Sequence, residues 1–420
     1  MRVADPTNTI KQQLHILRLL REHGPTTRRH LSELAGYSIS LVGQLMTNLA
    51  ARKFIEEDHQ VTSDQAGRPS QAWTLGRDLI LAVGLDVGSV STRSTVLNAR
   101  GDELFKLSVR TPISDSREHL LEHLKTIVHQ TLLGANGYSK RIHGIGVAFS
   151  GFVDHAEGRS LDAPNIAHAD ALPIKSYLEK AFKLPVSVDD SSRAMAVAEQ
   201  RYGVAKHARN VVCINVGAGI GTGILLEGQL YRGAMGLAGE LGHIPMDAHG
   251  EYCRCGGRGC LETLASGSAI LGKARKMMDM GVLSSLPQRL RGDMSRLTIQ
   301  LIAQAAQEGD VTAIELLADA ATWLGMGVAT AFNLFSPELV VLGGGVMLDA
   351  PHLFPIVQRQ ADRYTLAQLS RPLPLTLSSL DEMAAARGAA TFILDEQYEH
   401  GLADRLTATT RTSRHNRPSK

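Results

Sequence analysis

The chain has 420 residues, 44% of them hydrophobic and 20% charged, an ordinary globular composition that excludes extensive disorder. That length predicts two or three domains. A formal net charge of +2 selects no partner, because a nucleic-acid binder can carry its basic residues on one small module.

The opening residues, MRVADPTNTIKQQLHIL, contain no apolar secretion segment. The most apolar stretch, Ala320 to Phe335, is interrupted by Thr322, Thr330 and Asn333 and reads as a buried helix, not a membrane span. A cytoplasmic location is expected.

Residues 1–78 form the first predicted unit. Ile10, Leu14 and Leu17, with Leu20 beyond, mark one face of a helix that ends at Gly24-Pro25. Thr27 can cap a short second helix carrying Leu31, Leu34 and Ala35, which stops at Gly36. Ser38 can cap a third, where Val42, Leu45, Met46 and Leu49 repeat at helical spacing. Two extended segments are expected around Val61–Ser63 and Gln71–Leu75, joined by a turn with Gly67-Arg68-Pro69. Three helices and a hairpin with a basic tip predict a winged helix-turn-helix; a helical protein-interaction module is the plainer alternative.

If the apolar positions of the third helix face inward, Ser40, Gln44, Thr47 and Asn48 face outward. These side chains suit the major groove, where Gln and Asn can read adenine edges. Ser38, Arg28 and Arg29 border the same surface, Arg52 and Lys53 close the third helix, and Arg68 stands on the wing; the basic residues are candidates for phosphate or minor-groove contact.

From residue 79 the texture changes to apolar strands alternating with helical periodicity, an α/β body. Candidate strands are Ile80–Leu85, Gly144–Phe149, Val211–Asn215 and Leu339–Leu342, each followed closely by glycine, which puts loops at the strand carboxyl ends where ligands tend to bind. Residues 399–420, ending RTSRHNRPSK, are expected to be a flexible basic tail.

Within GELGHIPMDAHGEYCRCGGRGCLE, residues His243, Cys253, Cys255 and Cys260 offer one imidazole and three thiolates, a complete tetrahedral set for a structural Zn²⁺ with no open position. His249 in the intervening loop and Cys213 in mid-strand are the remaining candidates, and packing suits Cys213 better. The plainer alternative is a group of free buried cysteines.

The run from Gly236 to His243 (G-x-A-G-E-x-G-H) and the run from Cys253 to Glu262 (C-x-C-G-x-x-G-C-x-E) resemble the signature of the ROK family of repressors and sugar kinases. The likeness covers the body from Asp86 to about Tyr398, and with the N-terminal module the chain is similar to the family's repressor branch, that of the glucose, N-acetylglucosamine and xylose regulators. It implies an actin-like (ribonuclease H-like), two-lobed sugar-kinase fold: a first lobe over 79–195 with a return segment at about 383–398, and a second over 196–382 with the metal motif and oligomerisation helices. It also implies a sugar pocket built from Gly151, Asn165, Asp190, Glu240, His243 and Glu262, in which His243 gives one nitrogen to zinc and leaves the other for a hydroxyl. Carboxylates and amides of this kind form paired hydrogen bonds to vicinal hydroxyls.

Kinases of the family carry an aspartate, after asparagine, that deprotonates the sugar. Here the stretch reads Val188-Asp189-Asp190-Ser191-Ser192-Arg193, and Ser191 stands at the base position; a one-residue shift in register would put Asp190 there instead. The first phosphate loop is altered to Asp86-Val87-Gly88-Ser89-Val90, whereas the Gly217–Gly223 and Gly343-Gly344-Gly345 loops are kept. The expectation is a non-catalytic, sugar-responsive regulator, most simply a repressor. Its partners would be a roughly palindromic operator and a sugar or sugar phosphate, with a homodimeric or homotetrameric state. An active ATP-dependent sugar kinase with a DNA-binding arm is the rival, and a protein effector is a further option.

Overall fold

The computed structural model describes residues 6–58, 71–112, 116–138, 141–369 and 372–407. The N-terminal unit packs three helices, α1 (Pro6–His23), α2 (Arg28–Ala35) and α3 (Ile39–Ala51), against a three-stranded antiparallel sheet of β1 (Thr26–Thr27), β2 (Ile55–Asp58) and β3 (Ala72–Leu75), in the order β1-β3-β2. Thr27 caps α2, its hydroxyl accepting from His30 N, and Gly36 ends the helix in the left-handed conformation. Ser38 caps α3 by accepting from Leu41 N. Val42, Leu45, Met46 and Leu49 are buried, as their spacing predicts.

Among the described residues, the strand that pairs with β3 is Ile55–Asp58, with Ile55 opposite Leu75. Ile55 is buried in the core of the unit. Residues 61–63 and Arg68 lie outside the described residues.

Two larger sheets follow, built to one plan. In the first, β4 (Leu81–Val87), β5 (Ser91–Asn98) and β6 (Glu103–Arg110) form an antiparallel meander. After α4 (Arg117–Gly134), β7 (Ile142–Phe149) joins β4 in parallel. A small hairpin, β8 (Phe152–Asp154) and β9 (Arg159–Asp162), and α5 (Ile174–Phe182) lead to β10 (Val186–Asp190), parallel to β7. The helix α6 (Ser191–Tyr202) then crosses to the second sheet.

There β11 (Val211–Val216), β12 (Ile220–Leu226) and β13 (Gln229–Leu230) repeat the meander. Helices α7 (Leu261–Ala265), α8 (Gly267–Asp279), α9 (Leu286–Leu290), α10 (Ile299–Gln307) and α11 (Val311–Phe335) intervene before β14 (Leu339–Gly343). Helices α12 (Gly345–Asp349) and α13 (Phe354–Tyr364) precede β15 (Leu375–Leu377). The orders β10-β7-β4-β5-β6 and β13-β12-β11-β14-β15 are the same three antiparallel plus two parallel arrangement. Helix α11 is long and apolar enough to cross a membrane by length and composition; here Leu316, Leu317, Leu324, Val328 and Phe332 are buried in the core beside the second sheet.

The last helix, α14 (Ala384–Glu396), returns to the first sheet, packing on β4, β7 and α6. The approach is close enough that a Cβ at Gly388 would collide with the Ala194 carbonyl of α6. Residues 399–407, expected to belong to a flexible tail, are helical instead. A π-helical turn over Gln397–Gly401 carries the helix on to residue 407, and Tyr398, Leu402 and Leu406 are buried in the core of the N-terminal unit with Ile16, Leu17 and Leu49. Their apolar spacing is overshadowed in the sequence by the basic residues beyond 410. That core also contains Leu79, Ile80, Ala82 and Leu97, so the N-terminal unit and the first sheet share one apolar interior.

Candidate functional site

The carboxyl ends of β4, β7, β10, β11 and β14 converge on one cavity of about 480 Å³ between the two sheets. Gly88 and Ser89 follow β4, Ser150 and Gly151 follow β7, Asp190 and Ser191 lie at the end of β10, Gly217 follows β11, and Gly344 follows β14; all line it. Gly151, Asn165, Asp190, Glu240, His243 and Glu262, scattered over more than a hundred residues of sequence, line the same wall.

Asp190 caps α6, one carboxylate oxygen accepting from Ser192 N at 2.8 Å and Arg193 N at 3.1 Å. Burial pushes its carboxyl up to about 6, with Asp189 adding repulsion and Arg193 opposing the shift. Glu240 is pushed up to about 7, first by burial and then by the charges of Asp190 and Glu262, against Arg193. Glu262 accepts from Ile220 N at 2.9 Å, a contact open only because Gly219 has no side chain: a Cβ there would strike the carboxylate.

Ser191 donates to Asp86 Oδ1 at 2.9 Å and lies 3.2 Å from Ser150 Oγ. Asp86 is buried, its carboxyl raised by that burial, with Arg93 3.5 Å from its other oxygen. Ser191 is therefore held in a hydrogen bond at the head of α6, and Asp190 is turned to the helix N-terminus as its cap.

Three residues that the sequence did not single out support this wall. Arg193, fully buried, donates to Asp189 at 3.0 Å and to the carbonyls of Gly236 and Ala238 at 2.7 and 3.3 Å, tying the loop that carries Glu240 to the end of β10. Arg232 binds the other oxygen of Asp189 at 2.8 Å. Arg254, between two cysteines, reaches across the cleft to the Pro164 carbonyl at 2.7 Å and Asn165 Oδ1 at 3.4 Å. Arg193 and Arg232 could have been suspected only from the acidic pair at 189–190 needing cations; nothing in sequence spacing points to Arg254.

His243, Cys253, Cys255 and Cys260 bring four ligand atoms within 4.8 Å of one another. Cys253 Sγ is 3.6 Å from His243 Nδ1, and Cys255 and Cys260 sulfurs are 3.7 Å apart, near the roughly 3.8 Å edge of a tetrahedron with Zn–S bonds of about 2.3 Å. One imidazole and three thiols fit a metal of this class. His243 turns Nδ1 to the cysteines and Nε2 toward Glu240, 4.0 Å away, and its ring meets Phe152 from the first lobe at 5.5 Å. His249 lies in the exposed turn outside this cluster, and Cys213 is buried in β11.

A second concave surface lies on the outer face of α3, lined by Arg28, Ser40, Gly43, Gln44, Thr47 and Asn48. Arg28 rests against Gly43, and Arg29 pairs with Glu33 at 3.3 Å. Asn48 is exposed on the same face, with its Oδ1 accepting from Gln13 Nε2 at 2.8 Å, so its amide is oriented by α1. Ser38 spends its hydroxyl oxygen as the α3 cap. Arg52 departs from expectation: its guanidinium binds the carbonyls of Arg405 and Leu406 at 2.8 and 3.3 Å, at the end of the C-terminal helix, where free carbonyls attract a cation.

Residues 82–396 match the ROK family. The chain belongs to that family. Among the proteins it is similar to is a putative xylose repressor from Caldicellulosiruptor sp. (strain Rt8B.4), 28% identical over 92% of this chain and 96% of the relative. Among solved structures, a ROK family transcriptional regulator described as a homologue of the E. coli MLC protein superposes with a TM-score of 0.75 at 25% identity, covering 96% of this chain and 99% of that one. A ROK family glucokinase from Streptomyces griseus, solved with glucose and AMPPNP, superposes at 0.66 and 28% identity, covering 74% of this chain and 98% of its own. The regulator's coverage takes in the N-terminal helices, whereas the kinase leaves about a quarter of this chain unmatched.

Proposed function

We propose that this ROK protein is a sugar-responsive transcriptional repressor, with residues 1–78 acting as a winged helix-turn-helix and the body acting as a ligand sensor of actin-like fold. The observation that carries the reading is the polar, concave outer face of α3, with Arg28 at its edge, on a module whose core continues into the sugar-cleft body. Arg28, Arg29, Ser40, Gln44, Thr47 and Asn48 would meet DNA, joined by Ser38 as the helix cap and Arg68 on the wing. A homodimer or dimer of dimers would present two such faces to a roughly palindromic operator.

Sugar would bind at Gly151, Asn165, Asp190, Glu240, His243 and Glu262, favouring the lobe arrangement that holds the reading helices at the wrong spacing. One structural Zn²⁺ on His243, Cys253, Cys255 and Cys260 would fix the His243 ring beside the sugar. The expected location is the cytoplasm. Catalysis is not expected, because Ser191 stands where a base is needed and is itself bound to Asp86.

The test is operator retention: the chain should shift fragments of its own gene's upstream region in a salt-sensitive way and release them on addition of one sugar from a panel. A scaffold without DNA function would shift none. The match to the glucokinase keeps one rival in view, an active kinase, and ATP-dependent phosphorylation of common hexoses that is abolished by Asp190→Asn would establish it.

A further inference from the structure

The outer face of α3 is constrained from behind by a buried amide. Gln13 of α1 is 3% exposed and shares the inward side of that helix with Ile16, Leu17 and Leu20, all members of the module's apolar core. It is the polar exception on an apolar face, and a buried amide is costly unless it is bonded. Its Nε2 donates to Asn48 Oδ1 at 2.8 Å. Asn48 is exposed and lines the concave surface with Ser40, Gln44 and Thr47. A side chain that a DNA groove would meet is therefore held by one that lies inside the module.

The bond decides which end of the Asn48 amide faces outward. An asparagine that reads adenine needs both ends in the plane of the base, Oδ1 to accept from N6 and Nδ2 to donate to N7. With Oδ1 turned to α1, the end left for the groove is the Nδ2 donor. Two hydrogens on one nitrogen suit an edge with two acceptors, and in the major groove guanine offers that edge in O6 and N7. Adenine carries its own N6 donor where guanine has O6, so Nδ2 would meet it donor to donor.

We infer that Gln13 is a positioning residue for sequence selectivity: it turns the Asn48 amide so that one base pair of the half-site is read as guanine and not adenine. The inference rests on the reading of α3 as the DNA-recognition helix. It reverses the adenine contact that the chemistry of asparagine alone suggests for this position.

The test is selection by the full-length chain from a duplex library randomised over the half-site, repeated with Asn48→Ala and Gln13→Leu. Asn48→Ala identifies the pair that Asn48 reads, as the one where preference is lost. The unsubstituted chain should favour G·C over A·T there by about tenfold, the scale of one good base contact. Gln13→Leu should bring that ratio to about one or invert it, because a released amide can pair with both groups of adenine. Preferences at the other pairs should stay in place, showing that the module is folded.

Preference for A·T at the Asn48 pair in the unsubstituted chain overturns the inference. So does a Gln13→Leu chain that keeps the G·C preference, or an Asn48→Ala chain in which no pair changes. Should Gln13→Leu fail to fold, 7-deazaguanine at that pair, which lacks the N7 acceptor, decides the matter. It should weaken the unsubstituted chain about tenfold and leave Asn48→Ala unaffected, and an equal effect on both chains overturns the inference. If the unsubstituted chain selects no sequence at all, the DNA-recognition reading itself falls, a result distinct from selection of the wrong base.

Discussion

Leu402 offers a quantitative test of how the N-terminal module is held to the body. It is fully buried, eighteen residues beyond the start of α14, in the core that also contains Ile16, Leu17, Leu49 and Leu79. Leu402→Ala removes three carbons from that core and leaves a cavity, a change that costs about 3–5 kcal/mol where the surroundings cannot collapse. The loss should fall on the N-terminal module, because the body keeps α14 up to Glu396 and its own two cores. The chain's two tryptophans separate these outcomes: Trp73 lies in β3 and Trp323 in α11. In a Trp323→Phe background, Trp73 fluorescence reports the module. With a urea dependence of about 1–1.5 kcal/mol per molar for a unit this small, Leu402→Ala should lower its midpoint by about 2 M or more. In a Trp73→Phe background, the Trp323 transition should stay in place. A midpoint drop under about 0.5 M, or equal drops at both tryptophans, would refute the assignment of the 397–407 segment to the module.

Cys260→Ser should reduce bound zinc, read by elemental analysis of the purified chain, from about one per chain to near zero, because three remaining ligands no longer close the tetrahedron. Asp190→Asn should stabilise the ligand-free chain in a pH-dependent way. The folded carboxyl, at about 6, lies above its ordinary 3.8, so the folded state holds the proton more tightly, and the stability this gives is complete below about pH 4 and lost as pH rises through about 6. Asparagine caps a helix as well as aspartate does, so the variant should gain about 1–3 kcal/mol at pH 7.5 and almost nothing at pH 4, measured by thermal melts; a gain independent of pH would count against it. Arg28→Ala should weaken all DNA binding and lower the salt slope by about 1, while Gln44→Ala should cost about 1–3 kcal/mol at one base pair and relax selectivity there, both read by fluorescence anisotropy.

Much of this was legible in the sequence because periodicity and ligand chemistry are local. The third helix is found by Val42, Leu45, Met46 and Leu49 and closed by a cap at Ser38, and the metal cluster by three cysteines within eight residues. What stayed hidden depends on contacts across the chain. Strand β2 sits at Ile55 because Leu75 pairs with it, a register that neither segment states alone. The helix to residue 407 is stabilised by Ile16 and Leu17, nearly four hundred residues earlier, and its local sequence reads as polar. Arg52 looked like a phosphate contact by position, and only the carbonyls of Arg405 and Leu406 give it another role. Arg193 and Arg254 belong to the same class, being cations whose partners are backbone carbonyls that a sequence does not advertise.

The same long-range contacts connect the cleft to the helix behind the proposed DNA-reading face. Helix α6 begins with Ser191 in the cavity wall, and at its far end Arg201 binds Asp395 at 3.2 Å while Tyr202 meets Thr391 at 3.0 Å. Helix α14 begins with Ala384 and Ala385 in the same wall, and Asp395 near its end is also gripped by Arg21 of α1. Tyr398 then donates to the Leu17 carbonyl and lies under the Arg21 guanidinium, 4.6 Å from its ring centre. The two helices, packed closely where Gly388 meets Ala194, therefore run together from the cavity wall to the helix that packs behind α3. The regular α-helical hydrogen-bond ladder gives way to a π-helical turn at Gln397–Gly401, at the crossing from body to module. Single π-turns of this kind are rare and occur frequently at functional sites. Were a ligand in the cavity to shift α6 and α14, these contacts would pass the shift to α1.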